Sequence, residues 1–367
     1  MYKLSERGPG LGRLVRGPEA MAVQRERNPV LGSLSEIVSD PRHVTMDYDR
    51  LREFAHEHAH DRFVTPRWDE PIFLDVERKP QQAVDAAELL FVGNAINFQF
   101  TYLGEGREEK KYSFTSGGIQ WRGAFGMWAA LKNAFESGVP VTDPEFLAGM
   151  TLEDAAGVFR LGESHMPMVE ERVRIFNEVG KVLIDKYDSS IWNVLEGTRD
   201  DRDRFRMFNG GKGLVERLVS DFPSFRDSAV YKGREVVFNK RAQLNAMMMH
   251  EKFLGMGIEL FPEDDFDALT VAANYELPKM ARKLGLLRYS DELARKVDGG
   301  IPIPYGGEEE MELRGSTIYA CRHARNLING ERPAEFRIQD PHIDYLLFSL
   351  GRQCRDVRHH YTATTAY

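Results

Sequence analysis

A mainly α-helical fold with a small β component, arranged as two lobes, is what this sequence predicts, and three observations carry the expectation. Apolar side chains recur three and four residues apart over most of the chain beyond residue 30, in stretches bounded by capping residues, Gly or Pro. Strand-like alternation is confined to short runs: Phe98, Phe100 and Tyr102, with residues 111–114 as a pairing partner, and residues 230–238, which turn at Lys232-Gly233. The chain has 367 residues, more than a single core usually serves. Lobes of about 31–160 and 161–367 are therefore expected.

Residues 1–30 are rich in Gly, Pro and Arg without periodicity and read as a flexible N-terminal tail. No strand precedes Gly8, Gly10 and Gly12, so they do not form a dinucleotide loop. A helical pattern begins at Ser33, and a second covers 46–61 with Leu51, Phe54 and Ala55 on its apolar side. Pro66, Pro71 and Pro80 mark a loop-rich stretch. Helices are predicted over 83–94 and over 123–137, the latter ended by Gly138 and Pro140, and Thr151-Leu152-Glu153-Asp154 reads as a capped start. Residues 166–187 form a long amphipathic helix opened by Pro167, with Glu170, Glu171 and Arg172 as a solvated face. Another helix starts at Lys240. Acidic Glu263, Asp264, Asp265 and Asp267 open one that Leu269, Ala272 and Ala273 carry forward, and Pro278 opens the next.

Composition narrows the function classes. The chain is 42% hydrophobic and 29% charged, ordinary for a soluble globular protein. A net charge of −8 and a pI near 5.8 argue against a nucleic-acid partner, which calls for a basic stripe. Two cysteines, Cys321 and Cys354, suggest a reducing, cytoplasmic setting rather than a disulfide framework. No apolar run approaches the roughly 18 residues that span a bilayer, so no membrane partner is expected. The N-terminus has no apolar core of a secretory signal.

Four places carry candidate chemistry. Asn274 and Tyr275 fall at a break between two helices, either a plain corner or polar groups facing a cleft. His56-Glu57-His58-Ala59-His60 matches the HExxH pattern of zinc proteases, but Asp61 and Arg62 follow at once and no third ligand is evident. Lys240 and Arg241 at a helix start are either surface cations or a phosphate site, where side-chain charge joins free backbone N–H groups. Asp344 opens a late helix, as a helix-start charge or a functional carboxylate.

Four longer blocks are spread through the chain: Met166-Pro167-Met168-Val169-Glu170-Glu171-Arg172 continuing to Asn177-Glu178-Val179-Gly180-Lys181; Phe222-Pro223-Ser224-Phe225-Arg226-Asp227; Phe238-Asn239-Lys240-Arg241-Ala242-Gln243; and Val271-Ala272-Ala273-Asn274-Tyr275-Glu276-Leu277-Pro278. Shorter ones are Ile96-Asn97-Phe98, Glu312-Leu313-Arg314-Gly315 and Ile343-Asp344-Tyr345. In chain order they resemble the queuosine salvage proteins, the family of queuosine 5'-phosphate N-glycosylases (hydrolases), and the similarity runs from about residue 29 to 367. The family carries Asp where this chain has Asn274, a histidine about where Phe73 stands, and a carboxylate where this chain has Ser349.

The resemblance implies hydrolysis of queuosine 5'-monophosphate to queuine and ribose 5-phosphate, without metal or cofactor, on a two-lobed helical fold resembling helix-hairpin-helix DNA glycosylases. It places the catalytic position at Asn274, substrate contacts at Phe73, Asn97, Phe98, Ala272, Tyr275 and Asp344, and the phosphate at Lys240 and Arg241. Breaking the N-glycosidic bond builds positive charge on the ribose, which a carboxylate can stabilise. Queuine is a 7-deazapurine without N7, and its substituent carries an aminomethyl cation for which Asp344 is the expected partner. Asn274 implies impaired turnover, and it leaves a non-catalytic nucleotide-binding protein as the alternative, ahead of a DNA-repair glycosylase or an HExxH protease.

Overall fold

The computed structural model describes residues 27–76, 80–106 and 108–367. The expected tail lies outside them up to residue 26, and its last residues belong to the folded body. Buried Asn28 caps a short helix α1 (Pro29–Ser33) through Val30 N, and its amide donates to Gln243 Oε1 and Ala268 O. The first part of the chain continues as α2 (Ser35–Ser39), β1 (Val44–Met46), α3 (Tyr48–His58) and α4 (Pro80–Ala95). Four short strands follow, β2 (Thr101–Leu103), β3 (Glu109–Lys111), β4 (Ser113–Ser116) and β5 (Ile119–Arg122), then α5 (Ala124–Glu136), α6 (Pro144–Gly149), α7 (Leu152–Phe159), α8 (Val169–Lys186), α9 (Ile191–Glu196) and α10 (Leu214–Asp221). The remainder is β6 (Ser228–Tyr231), β7 (Arg234–Val237), α11 (Lys240–Gly255), α12 (Glu263–Ala268), α13 (Glu276–Lys283), β8 (Leu287–Tyr289), α14 (Asp291–Asp298), α15 (Glu308–Gly330) and α16 (Asp340–Gln353). The mainly helical expectation is met.

Local chemistry sets several of these boundaries. Asp47 accepts from Arg50 N to start α3, and Thr151 and Asp154 close a reciprocal capping box on α7. Among the described residues the strands form antiparallel pairs only: β1 with β8, β2 with β3, β4 with β5 and β6 with β7. The β6–β7 hairpin turns where the sequence suggests, with φ of 45° at Lys232 and 82° at Gly233, the left-handed pair that a tight two-residue turn requires.

Two hydrophobic cores hold the chain, and they interleave in sequence. The first runs from Trp68 to Leu269, straddling residue 160. The second joins Val30 to Ala55 with Tyr231 to Phe238 and Val271 to Leu347. Chain length suggests more than one core, but it does not say which segments fill each. The segment between α12 and α13 passes from one to the other, with Leu269 in the first core and Val271 and Ala273 in the second.

That segment corrects the sequence expectation of one helix carried through Ala273. α12 ends at Ala268, and the peptide groups beyond it are paired by side chains rather than by a helical turn. Arg322 donates to Leu269 O, Gln243 accepts from Thr270 N, Asp344 from Ala272 N, and Arg314 donates to Ala273 O. Pro278 is the third residue of α13 rather than its first, still within the turn whose N–H groups lack helical partners. A second correction concerns Arg172, which is fully buried rather than on a solvated face.

Candidate active site

A cavity opens where the two cores meet, and the crossing segment forms part of its wall. Val271 and Ala273 pack into the second core, while Ala272 and Asn274 line the cavity. Phe98, Phe100, Phe125 and Trp128 supply flat apolar wall. Trp128 is set by close packing: a Cβ added at Gly93 would stand 2.0 Å from Trp128 Cζ3.

Beneath the cavity the last turn of α4 and the residues after it present five successive carbonyl oxygens, and three buried cations take all of them. Arg241 donates to Ala95 O, Arg172 to Ile96 O, Lys240 Nζ to Asn97 O at 3.0 Å, and Arg172 again to Phe98 O at 2.6 Å and Gln99 O at 2.8 Å. Cations at a helix C-terminus complement its dipole and its unpaired carbonyls. Both guanidinium groups also lie over the Phe98 ring, at 4.2 Å for Arg172 and 5.3 Å for Arg241. Among the described residues none of the three side chains has a carboxylate at ion-pairing distance, so the floor keeps a positive field. Burial, with Arg241 alongside, pushes the Lys240 ammonium down to about 7 and Arg172 to about 9.

Asn274 Oδ1 accepts from Glu276 N at 2.8 Å and Leu277 N at 3.4 Å, capping α13. Two N–H donors fix which end of the amide is oxygen and leave the nitrogen as the group outside the cap. Asp344, 9% exposed, accepts from Ala272 N at 2.6 Å. Burial raises its carboxyl to about 7, against the pull of the Ala272 N–H and of Lys240. Tyr275 packs its ring 4.4 Å from His359. Glu276 pairs with Lys111 at 2.8 Å and with Lys279, and although burial opposes ionisation these cations hold its carboxyl below the usual range.

One more ion pair ties the site together. Buried Arg314 bonds both oxygens of Asp227 while reaching Ala273 O, and Asp227 Oδ2 accepts from Lys240 N. The crossing segment and the start of α11 are thereby held to a common pair.

Of the residues singled out by sequence, Asn97, Phe98, Lys240, Ala272, Asn274, Tyr275 and Asp344 share this cavity wall. Arg241 lies behind it on Ala95 O and Ser224 O, and Phe73 lies outside it, packed on Trp68 and Trp128. Sequence reasoning missed Lys111, Glu251, Glu276, Arg352 and Tyr367, all on the wall. The Glu251 signal was available as the cavity-facing spacing of α11 from Lys240, and Glu276 stands two residues after Asn274 in the same block; Lys111, Arg352 and Tyr367 come from distant elements. His56 and Glu57 are engaged elsewhere, with Glu331 and Arg50.

Residues 77–367 match the family described as queuosine salvage protein. The chain belongs to that family. A queuosine 5'-phosphate N-glycosylase/hydrolase of Sphaerobacter thermophilus is 31% identical over 353 residues, covering 95% of this chain and 100% of that protein. A mouse protein of the same name is 31% identical over 286 residues, 76% of this chain and 80% of its own. One from Dictyostelium discoideum is 28% identical over 336 residues, 89% and 94% respectively. These queuosine salvage relatives are enzymes by name, acting on a small nucleotide. Among the described residues of this family member no helix is long and apolar enough to cross a membrane.

Proposed function

We propose that this chain binds queuosine 5'-monophosphate in the cavity between its cores and hydrolyses the N-glycosidic bond, slowly, to queuine and ribose 5-phosphate. The observation that carries the reading is the positive floor. Lys240 lines the cavity, backed by Arg172 and Arg241, and buried cations without carboxylate partners favour a phosphate dianion strongly. Lys240 meets the phosphate; Arg241, behind it, adds field rather than contact. The flat walls around Phe98 take the base.

In the reaction the C1'–N bond breaks with its electron pair leaving on the base, water adds hydroxide equivalent to C1', and the water's other proton goes to the base or solvent. Positive charge builds on the sugar beside the crossing segment. Asn274 presents no charge to it, which is the basis for slow turnover. Asp344, which the resemblance pairs with the aminomethyl cation, is tied to Ala272 N of the same segment within the field of Lys240, and is assigned instead to hydrogen bonds with ribose or base. No metal or other cofactor enters this scheme. Action in the cytoplasm, without nucleic acid, and a fold akin to helix-hairpin-helix DNA glycosylases belong to the same proposal and rest on the sequence resemblance and acidic balance.

The test is incubation with queuosine 5'-monophosphate under single-turnover conditions, following free base by mass spectrometry. Slow release of queuine supports the reading. Tight binding without release, in this chain and in Asn274→Asp alike, would favour the nucleotide-binding alternative, to which the neutral Asn274 gives its one specific support.

A further inference from the structure

The cavity-facing residues of α11 are Lys240, Leu244, Met247, Met248 and Glu251, a single stripe along one side of the helix. At 1.5 Å per residue the two charged ends of that stripe are about 16 Å apart along the axis, with three apolar side chains between them. The positive end is the phosphate pole already described. The other end is a carboxylate, 2% exposed, in a wall otherwise built there from Trp68, Thr65 and Pro66.

We propose that α11 measures a bipolar nucleotide, with Glu251 receiving a cationic substituent on the base while Lys240 receives the phosphate. The inference rests on the queuosine 5'-phosphate reading and adds to it the residue that selects a substituted base over a plain one. Three carboxylates line the cavity, and two are accounted for. Glu276 is held by Lys111 and Lys279. Asp344 is bonded to Ala272 N and feels the charge of Lys240, which puts it near the phosphate pole. Glu251 remains. Arg67 holds its Oε2 from the outside, through a guanidinium whose side chain is 45% exposed. Arg67 bonds Oε2 and Thr65 also bonds the carboxyl, so an ammonium entering from the cavity side joins this cluster rather than displacing Arg67. Trp68 adjoins this end, because Lys252, the next residue after Glu251, holds its carbonyl at 2.8 Å, and an indole beside a carboxylate suits an alkylammonium.

Calorimetric titration of two probes tests this: queuosine 5'-monophosphate, and 7-deazaguanosine 5'-monophosphate, which lacks the aminomethyl substituent. The wild-type chain is expected to prefer the first by about tenfold or more, the yield of one buried charged hydrogen bond. Glu251→Gln is expected to collapse that ratio towards one by weakening the first probe alone. Equal affinity of the wild type for both probes overturns the proposal without recourse to any variant. So does a Glu251→Gln protein that keeps the preference, or one that loses both ligands equally, the mark of a structural role. A wild type that binds neither probe overturns the functional reading and this inference together, whereas equal, tight binding of both leaves the functional reading standing.

Discussion

The amide oxygen of Asn274 is committed to two N–H groups at the start of α13, so replacing the amide by a carboxylate keeps the cap and changes what faces the cavity. Asn274→Asp is expected to act in two independent ways. A negative charge at a helix N-terminus stabilises by about 0.3–1 kcal/mol, a small rise in Tm readable by calorimetry. Release of queuine in a single turnover is expected to rise by roughly a hundredfold or more, because one well-placed electrostatic stabiliser is worth roughly 3–4 kcal/mol in the transition state. Affinity changes little, since C1' is neutral before the bond breaks. A carboxylate-like limb in the pH–rate profile is expected in the variant alone. Unchanged base release alongside the raised Tm would show that position 274 caps a helix and does nothing to the reaction.

The floor of the cavity is a matter of one helix end and the cations that close it. Arg172 alone serves four carbonyl oxygens, of Ile96, Pro167, Phe98 and Gln99, with a planar fork that Lys lacks. Arg172→Lys is expected to leave some of them unpaired, costing about 1–3 kcal/mol for each acceptor stranded, and to lower both Tm and nucleotide affinity. Lys240 gives the floor a pH signature. Its ammonium has a pKa near 7 in the free protein, below the ordinary lysine value, and a bound phosphate dianion raises it. Binding therefore takes up a proton above pH 7, and affinity for queuosine 5'-monophosphate is expected to fall roughly fivefold between pH 7 and 8. Affinity for the free nucleoside is expected to be weaker throughout; equal binding of both would remove the phosphate assignment from Lys240. Little of this was legible in the sequence. Glu170-Glu171-Arg172 has the pattern of a solvated face, and only the carbonyls of residues 96–99, brought from elsewhere, explain why the arginine turns inward. Lys240 and Arg241 both begin a helix, and a rotation of one residue sends one to the cavity and its neighbour to the wall behind. By contrast the capping box at Thr151 and the Lys232-Gly233 turn depend on adjacent residues and were readable as such.

At the scale of the whole molecule the cavity exists because two cores meet, and the segment after α12 is irregular because partners from α11, α15 and α16 claim its peptide groups. Those partners are invisible to local periodicity, which is why a helix is expected there and a non-helical crossing is found. The family resemblance implies a reaction that uses no metal. EDTA is accordingly expected to leave nucleotide affinity and cleavage unchanged, and stoichiometric zinc bound through His56 and His60 would contradict that. The interleaving of the cores also has a consequence for how the chain is made. Among the described residues β1 pairs with β8 alone, Val44 opposite Tyr289, and α3 rests on α15. A ribosome adding about 5–20 residues per second delivers that partner roughly ten to fifty seconds after β1 has emerged. During that interval the first core gathers its members up to Leu269, while Leu51, Phe54 and Ala55 wait for α15, against which α3 rests. The nascent chain thus keeps apolar faces of its early helices uncovered until α15 is made, and its cavity acquires its second half only with α13 and α16.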